Sequence, residues 1–244
     1  MKPKYADLHL CPDLRNEKSA ERLIRKASEL GYQLIAMPFP QGFPKQVIRK
    51  LENTCKEYKM DFAPRVDLKP HTPQELTRSL RKLRRRFEII AVLCVSKPVA
   101  RQAAKDRRVD LLNFPFYSPR KRFFDKAEAE LASNALSSLE IDINLLLTLE
   151  GPARIRLLSS LRREVAIAEG FHISIVISSG ASTELFMRKP REIVALTSLF
   201  DLDKRLAVEA VSTNSVAIVK RNREKLSPNF VAPGIRLLRS GKDC

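Results

Sequence analysis

Hydroxyl side chains at the end of a predicted strand are followed closely by several cations. The residues concerned are Ser178, Ser179, Gly180, Arg188, Lys189 and Arg191. In parallel α/β proteins, ligands bind at the carboxyl ends of the strands. Pro190 suits the first turn of a helix, whose free N–H groups would favour a phosphate oxygen, and arginine forks can bind such a group bidentately. The segment therefore predicts a phosphate cradle, and an ordinary loop with solvated arginines is the alternative.

The first predicted strand carries two residue types that can bind metal ions. Asp7 and His9 stand two positions apart and so share one face of the strand. Asp67, Glu140 and Asp142 could add carboxylates, but the chain has only three histidines, too few for the usual multi-metal site. A carboxylate-rich magnesium site stays open. Asp7, His9 and Asp67 are thus weak metal candidates, and a hydrogen-bonded pair of Asp7 and His9 is favoured.

Other catalytic patterns do not occur in the sequence. No G-x-S-x-G elbow surrounds Ser178, and neither a P-loop nor a G-x-G-x-x-G fingerprint occurs. The cysteines are Cys11, Cys55, Cys94 and Cys244, and none forms a C-x-x-C pair. This spacing favours reduced, intracellular thiols over a disulfide framework or a zinc ribbon. We therefore assign no catalytic residue from the sequence.

The charge balance favours a polyanionic partner. Lys and Arg number 45 against 28 Asp and Glu, which gives a formal net charge of +17. Such a surplus attracts nucleic acid or an anionic membrane. The cations recur in clusters, at Arg78–Arg86, at Pro119–Phe124 with Lys121 and Arg122, and at Lys220–Arg223. Solvated helix faces are the alternative, but together the clusters predict contact with a phosphate backbone and give no signal for reading a base sequence.

Short apolar runs alternate with segments of helical period, which predicts an α/β fold with a parallel sheet. The strand candidates are Tyr5–Leu10, Gln33–Met37, Asp61–Asp67, Ile89–Val95, Asp110–Phe114, Glu140–Leu145 and Ile173–Ser178. Seven evenly spaced strands favour a TIM-like barrel. After Ser178 only helical segments follow, so the eighth strand is missing. We expect one domain over residues 1–226 and a basic, flexible tail over 227–244.

Neither a signal sequence nor a membrane span is expected. The residues after Met1 lack an apolar core. The longest apolar run, Ile89–Val95, is far shorter than the ~20 residues that cross a bilayer. We therefore expect a cytoplasmic protein without membrane association.

Several motifs together resemble one family, the ribonuclease P protein component 3 of archaea and eukaryotes. The similar segments are Tyr5–Leu10, Leu30–Tyr32, Leu34–Ala36, Arg108–Pro115, Ile177–Ala181, Arg188–Ile193, Val211–Asn214 and Arg221–Arg223. The resemblance extends in register from residue 5 to about residue 225. No single motif is unique to the family, but their order and spacing are specific.

The resemblance implies a barrel of seven strands, similar to the metal-dependent polymerase-and-histidinol-phosphatase barrels. Those relatives open with His-x-His, whereas this chain has Asp7-x-His9. The resemblance further implies that a catalytic RNA removes the 5′ leader from precursor tRNA with magnesium. This subunit would bind that RNA together with a small ferredoxin-like protein subunit. It would hold no cofactor itself, and no catalytic residue.

The leading hypothesis is therefore a non-catalytic, RNA-binding subunit of ribonuclease P. The predicted phosphate contacts are Ser178, Ser179, Arg188, Lys189, Arg191, Arg221 and Arg223, followed by Lys121 and Arg122. One alternative is a stand-alone metal-dependent phosphoesterase in which Asp7, His9 and Asp67 bind the metal. Another is a metabolic barrel enzyme that binds a phosphorylated small molecule, but this does not account for the net charge.

Overall fold

The computed structural model describes residues 3–115, 123–232 and 235–237. The predicted contacts Lys121 and Arg122 lie outside the described residues. Seven parallel strands pair in chain order, which confirms the predicted TIM-like α/β barrel. These strands are β1 (Ala6–Asp7), β2 (Leu34–Pro38), β3 (Asp61–Leu68), β4 (Ile89–Leu93), β5 (Leu111–Asn113), β6 (Ser138–Asp142) and β7 (Ile175–Ser178).

Helices follow the strands in sequence, and most of them cover the outside of the barrel. They are α1 (Glu17–Leu30), α2 (Lys45–Glu57), α3 (Pro73–Leu83), α4 (Lys97–Lys105), α5 (Lys126–Ala135), α6 (Asn144–Thr148), α7 (Gly151–Gly170), α8 (Pro190–Leu196), α9 (Lys204–Ala210) and α10 (Thr213–Leu226). Local sequence sets several ends. Thr72 caps α3 by accepting a hydrogen bond from the Glu75 N–H (3.2 Å), and Gly31 ends α1 with a left-handed φ of 91°.

The predicted strand Glu140–Leu145 is wrong at both ends. The strand begins at Ser138 and ends at Asp142, and residues 144–148 form α6. The N–H groups of Ile143 and Asn144 still donate to β7 and the residue after it, at 3.0 and 2.8 Å. The Leu146 N–H then donates back to the Ile143 carbonyl. The apolar run therefore continues as a helix because its backbone partners end with β7.

A loop between α9 and α10 fills the place where an eighth strand would close the barrel. Past the strand ends, Leu10 forms an isolated parallel bridge with Ala181. Nearer the strand starts, the Ala6 N–H donates to the Val211 carbonyl (2.9 Å) and Asn214 Nδ2 donates to the Ile175 carbonyl (2.9 Å). Val211 in the loop and Asn214 in the first turn of α10 thus provide hydrogen bonds that β1 and β7 do not make with each other.

The barrel interior is apolar in the middle and is closed by α10 at its amino end. Small and branched side chains fill it, from Ala6, Leu8, Leu34, Ala36, Ala63, Ile89, Ala91, Leu111, Val176, Ile218 and Val219. The last two of these belong to α10. A second, larger cluster lies between the strands and the surrounding helices. The two ends of the barrel therefore differ. Apolar side chains of α10 close the amino end, and polar side chains occupy the carboxyl end.

The predicted tail begins with a short hairpin. Its strands are β8 (Phe230–Ala232) and β9 (Ile235–Arg236), which pair antiparallel. The Arg236 guanidinium pairs with Glu224 of α10. In the part of the chain that the structure describes, none of the helices combines the length and apolar character that a bilayer span requires.

Candidate functional sites: a filled barrel mouth and a basic outer face

Polar side chains from five strands, or from the residues that follow them, meet at the carboxyl end of the barrel. We call this set the mouth cluster, and its members are Asp7, His9, Arg65, Asp67, Asn113, Glu140, Asp142, Ser178 and Ser179. Positions two apart on one strand share a face, which brings Arg65 with Asp67 and Glu140 with Asp142 to the inside. The cluster lies where barrel enzymes usually bind their substrates.

Arg65 lies at the centre of the mouth cluster and is fully buried. Its guanidinium donates to both carboxylate oxygens of Glu140, at 2.5 and 2.7 Å. It also donates to Asp67 Oδ1 (2.6 Å) and to the Leu8 carbonyl (2.8 Å). The two bonds to Glu140 form a bidentate pair. A fixed organic cation therefore occupies the interior of the mouth.

His9 lies between two carboxylates. Its Nδ1 is 2.8 Å from Asp142 Oδ1, and its Nε2 is 3.1 Å from Asp67 Oδ2. Burial and the charge of Arg65 lower the pKa of His9, but Asp142 and Asp67 outweigh them and hold it well above its usual value. Burial raises the pKa of Asp67, yet Arg65 and His9 bring it well below its usual range. The mouth is thus a network of ion pairs.

Asp7 behaves differently from the other carboxyl groups of the cluster. Its Oδ1 accepts hydrogen bonds from the backbone N–H groups of Ser179 (3.0 Å) and His9 (3.1 Å). Its Oδ2 is buried without a hydrogen-bond partner in the described structure. Burial raises the pKa of Asp7 above its usual value, although the bonds from Ser179 and His9 oppose the rise. The favoured hydrogen-bonded pair of Asp7 and His9 is therefore present, with the His9 backbone N–H as donor and the Asp7 carboxylate as acceptor.

The structure corrects the predicted phosphate cradle. Ser178 and Ser179 do follow the end of β7, but they are 0 and 1 % exposed. The Ser178 hydroxyl donates to Glu140 Oε1 (2.9 Å), and the Ser179 hydroxyl accepts from the Ala181 N–H (3.1 Å). The Ser178 hydroxyl is used in the interior because the neighbouring strand supplies the buried Glu140 carboxylate, and the Ser179 hydroxyl is used in the buried turn that follows β7. Neither can reach a phosphate in this arrangement.

The basic residues after β7 lie apart from these serines. Arg188 Nη1 donates to the carbonyls of Leu185 (2.7 Å) and Met187 (2.8 Å), so its guanidinium is partly used in the local turn. The Arg188 carbonyl accepts from the Tyr32 hydroxyl (2.9 Å), which places this segment beside the residues that lead into β2. Lys189 and Arg191 are exposed. Of the predicted cradle, these two side chains remain open to solvent.

Arg221 and Arg223 lie at the opposite, amino end of the barrel. Arg223 donates to both oxygens of Asp61, at 2.8 and 2.9 Å, and to Glu88 Oε2 (2.8 Å). Arg221 Nη2 donates to Asp110 Oδ1 (3.1 Å). These acids stand at the starts of strands, so the two arginines join α10 to the barrel. These two predicted phosphate contacts are therefore far from Ser178 and Ser179, which lie at the carboxyl end.

A surface of exposed cations runs along α3 and continues at the end of α4. We call it the α3–α4 face, and its members are Arg78, Arg81, Lys82, Arg85, Arg86, Lys105 and Arg107, all exposed. Within the described residues, none of them forms an ion pair. Arg84 links this face to the barrel through Asp110 (2.6 Å). Burial, with Arg221, Arg84 and Arg107 nearby, lowers the pKa of Lys225 at its border. In the described part of the chain, the cations of the α3–α4 face thus have no acid paired with them.

Sequence reasoning missed Arg65 and Asn113. Asn113 Nδ2 donates to Glu140 (3.0 Å) and Asp142 (2.9 Å), and so fixes the two carboxylates. The signal was the spacing of two in Arg65-x-Asp67 and Glu140-x-Asp142 within otherwise apolar strands. Ligand-type atoms of His9, Glu140 and Asp142 lie within 4.8 Å of one another. Of the weak metal candidates Asp7, His9 and Asp67, only His9 belongs to that group.

Fold and site together define a TIM-like barrel whose mouth is filled by ion pairs and whose outer face is basic. The family model described as RNase P subunit p30 matches residues 4–227. The chain belongs to this family.

Individual relatives agree with this assignment. The chain is 31 % identical over 247 residues to "Ribonuclease P protein component 3" of Methanosarcina barkeri, with 98 % of each chain covered. It is 28 % identical to the protein of the same name from Methanosarcina acetivorans, over 99 % of this chain and 98 % of the relative. Among solved structures, a chain of "archaeal Ribonuclease P with mature tRNA" is similar with a TM-score of 0.84. That match has 22 % identity and covers 97 % of this chain and all of the other.

Proposed function

We propose that this chain is a protein subunit of ribonuclease P that binds and supports the RNA which removes the 5′ leader from precursor tRNA. The observation that carries the proposal is the family match over residues 4–227. The likeness to a chain of an archaeal ribonuclease P that holds mature tRNA supports it. RNA and tRNA are therefore the proposed partners.

In this proposal the chemistry belongs to the RNA and its magnesium ions, and the protein has no catalytic residue and no cofactor. Arg65 and its ion pairs occupy the place where a barrel enzyme would bind substrate. The family membership favours the subunit over a stand-alone metal-dependent phosphoesterase. Basic side chains would neutralise the folded RNA locally and so stabilise its active form.

The α3–α4 face is the proposed main contact with the RNA backbone. Its cations are exposed and unpaired among the described residues, so they can bind phosphate without first breaking an ion pair. Lys189 and Arg191 form a second proposed contact, and Lys121 and Arg122 keep their predicted role. Arg221 and Arg223 are reassigned to holding α10 on the barrel.

The protein partner proposed from the family resemblance is a small ferredoxin-like subunit. We further propose a cytoplasmic location, since the described cysteines Cys11, Cys55 and Cys94 are all free thiols. Co-purification of the two recombinant subunits would test the pairing.

RNA binding by the chain should depend steeply on salt. About five phosphate contacts, each contributing roughly 0.7 to the slope of log K against log salt, would weaken binding about 100-fold between 50 and 200 mM salt. Fluorescence anisotropy with the ribonuclease P RNA of the same organism measures this. Binding that is flat across the salt series, or no stronger than to an unrelated RNA hairpin at any salt, would contradict the proposal.

A further inference from the structure

The mouth cluster contains a set of side chains of the kind that binds divalent cations. One ligand atom each from His9, Glu140 and Asp142 lies within 4.8 Å of the others, and Asp67 Oδ2 is 3.1 Å from His9 Nε2. An imidazole with carboxylates is a common ligand set for zinc, manganese and related ions. Arg65 lies among these side chains and donates to Glu140 and Asp67.

The positive charge that such a ligand set requires is already present as a side chain. The Arg65 guanidinium is fully buried and donates to both oxygens of Glu140 and to Asp67. We propose that Arg65 is the permanent cation of the barrel mouth and blocks a latent divalent-metal site formed by His9, Glu140 and Asp142. Removing the guanidinium would make this site available to a metal ion.

Charge balance supports the exchange of Arg65 for a metal. In the present arrangement, Asp67, Glu140 and Asp142 surround the Arg65 guanidinium and the His9 imidazole. A divalent ion in place of the guanidinium would again put positive charge among these three carboxylates. Without any cation, the buried carboxylates would repel one another in a poorly solvated interior. The cluster therefore needs positive charge, and a metal ion can supply it.

Neutral neighbours would keep the ligands in place after Arg65 is removed. Asn113 Nδ2 donates to Glu140 (3.0 Å) and to Asp142 (2.9 Å), and Ser178 donates to Glu140 (2.9 Å). These bonds do not involve the guanidinium. Asp67 would remain beside the second nitrogen of His9 and could orient the imidazole, as carboxylates do for metal-bound histidines. The ligand set is thus held by contacts that survive the substitution.

The test compares the unsubstituted 244-residue chain with Arg65→Ala and Arg65→Met. Each protein is titrated with Co²⁺ and Mn²⁺, and thermal unfolding is measured with metal and with EDTA. Metal at about 100 times its Kd should raise the unfolding temperature of Arg65→Ala by about 5–10 °C. Co²⁺ should give visible ligand-field absorption in this variant, and the unsubstituted chain should show neither change.

The matched control is Arg65→Ala combined with His9→Ala, which lacks the imidazole ligand and should lose both responses. A variant that is unfolded in EDTA and folds when metal is added would support the proposal as well. Stoichiometric, His9-dependent metal binding by the unsubstituted chain would overturn it. So would the failure of both Arg65 variants to bind or fold with either metal. Neither result depends on RNA binding.

Discussion

Replacement of Arg65 by methionine is expected to lower the free energy of unfolding by about 3–5 kcal/mol. The guanidinium is fully buried and makes four hydrogen bonds, three of them to Glu140 and Asp67. Methionine fills part of the volume but leaves the Glu140 carboxylate buried without its cation. Urea unfolding followed by circular dichroism, in EDTA, measures the loss.

Arg223→Met provides the matched control, because Arg223 also binds two acids but its side chain is 38 % exposed. Water screens the two ion pairs of Arg223, so each of them should contribute only about 0.2–1 kcal/mol to the free energy of unfolding. Adding Glu140→Gln to Arg65→Met should restore part of the lost stability, since a neutral amide costs less to bury than an unpaired carboxylate. An Arg65→Met cost no larger than that of Arg223→Met would contradict the account of the mouth.

Removal of three charges from the α3–α4 face is expected to weaken RNA binding by roughly 10- to 100-fold. The variant combines Arg78→Gln, Arg81→Gln and Lys82→Gln. Three exposed phosphate contacts at about 0.5–1 kcal/mol each give this range. The salt slope should fall by about 2, because each contact contributes roughly 0.7–0.9. Anisotropy titrations across a salt series measure both quantities, and the fold should be unaffected because the side chains are exposed.

The control variant removes three surface cations that already pair with acids, through Arg25→Gln, Lys26→Gln and Lys50→Gln. It changes the net charge by the same amount. If the effect comes from overall charge alone, the two variants will lose the same affinity. Equal losses would therefore remove the α3–α4 face from the proposal while leaving RNA binding itself intact.

The barrel could be predicted from sequence because each strand and helix has its own local signal. The apolar runs that became β2 and β4, and the N-cap Thr72 before α3, are read within a few residues. The end of β6 could not be read this way, because the apolar run continues past Asp142 into α6. What ends the strand is the loss of its neighbour, a contact that the local pattern does not contain.

The chemistry of the site depends on contacts between distant residues, and here the sequence was less informative. Arg65 meets Glu140 across 75 positions, and Arg223 meets Asp61 across 162. A cation whose acid lies far along the chain cannot be recognised as paired from the local sequence. Arg223 was for this reason predicted to contact phosphate. Ser178 is a second example. Its position at the end of β7 could be predicted, but the hydrogen bond from its hydroxyl to the distant Glu140 could not. The exposed cations of α3, by contrast, could be recognised from the local sequence, because they have no partner elsewhere among the described residues.

The most direct test of the central claim is reconstituted cleavage of precursor tRNA at low magnesium. The ribonuclease P RNA is assembled with its other protein subunits, with and without this chain. We predict that omitting the chain lowers the cleavage rate at low magnesium, and that higher magnesium restores part of it because added cations replace protein charge on the RNA. Cleavage that is unaffected by the omission, or cleavage by the purified chain without RNA, would contradict the claim that this protein supports a catalytic RNA.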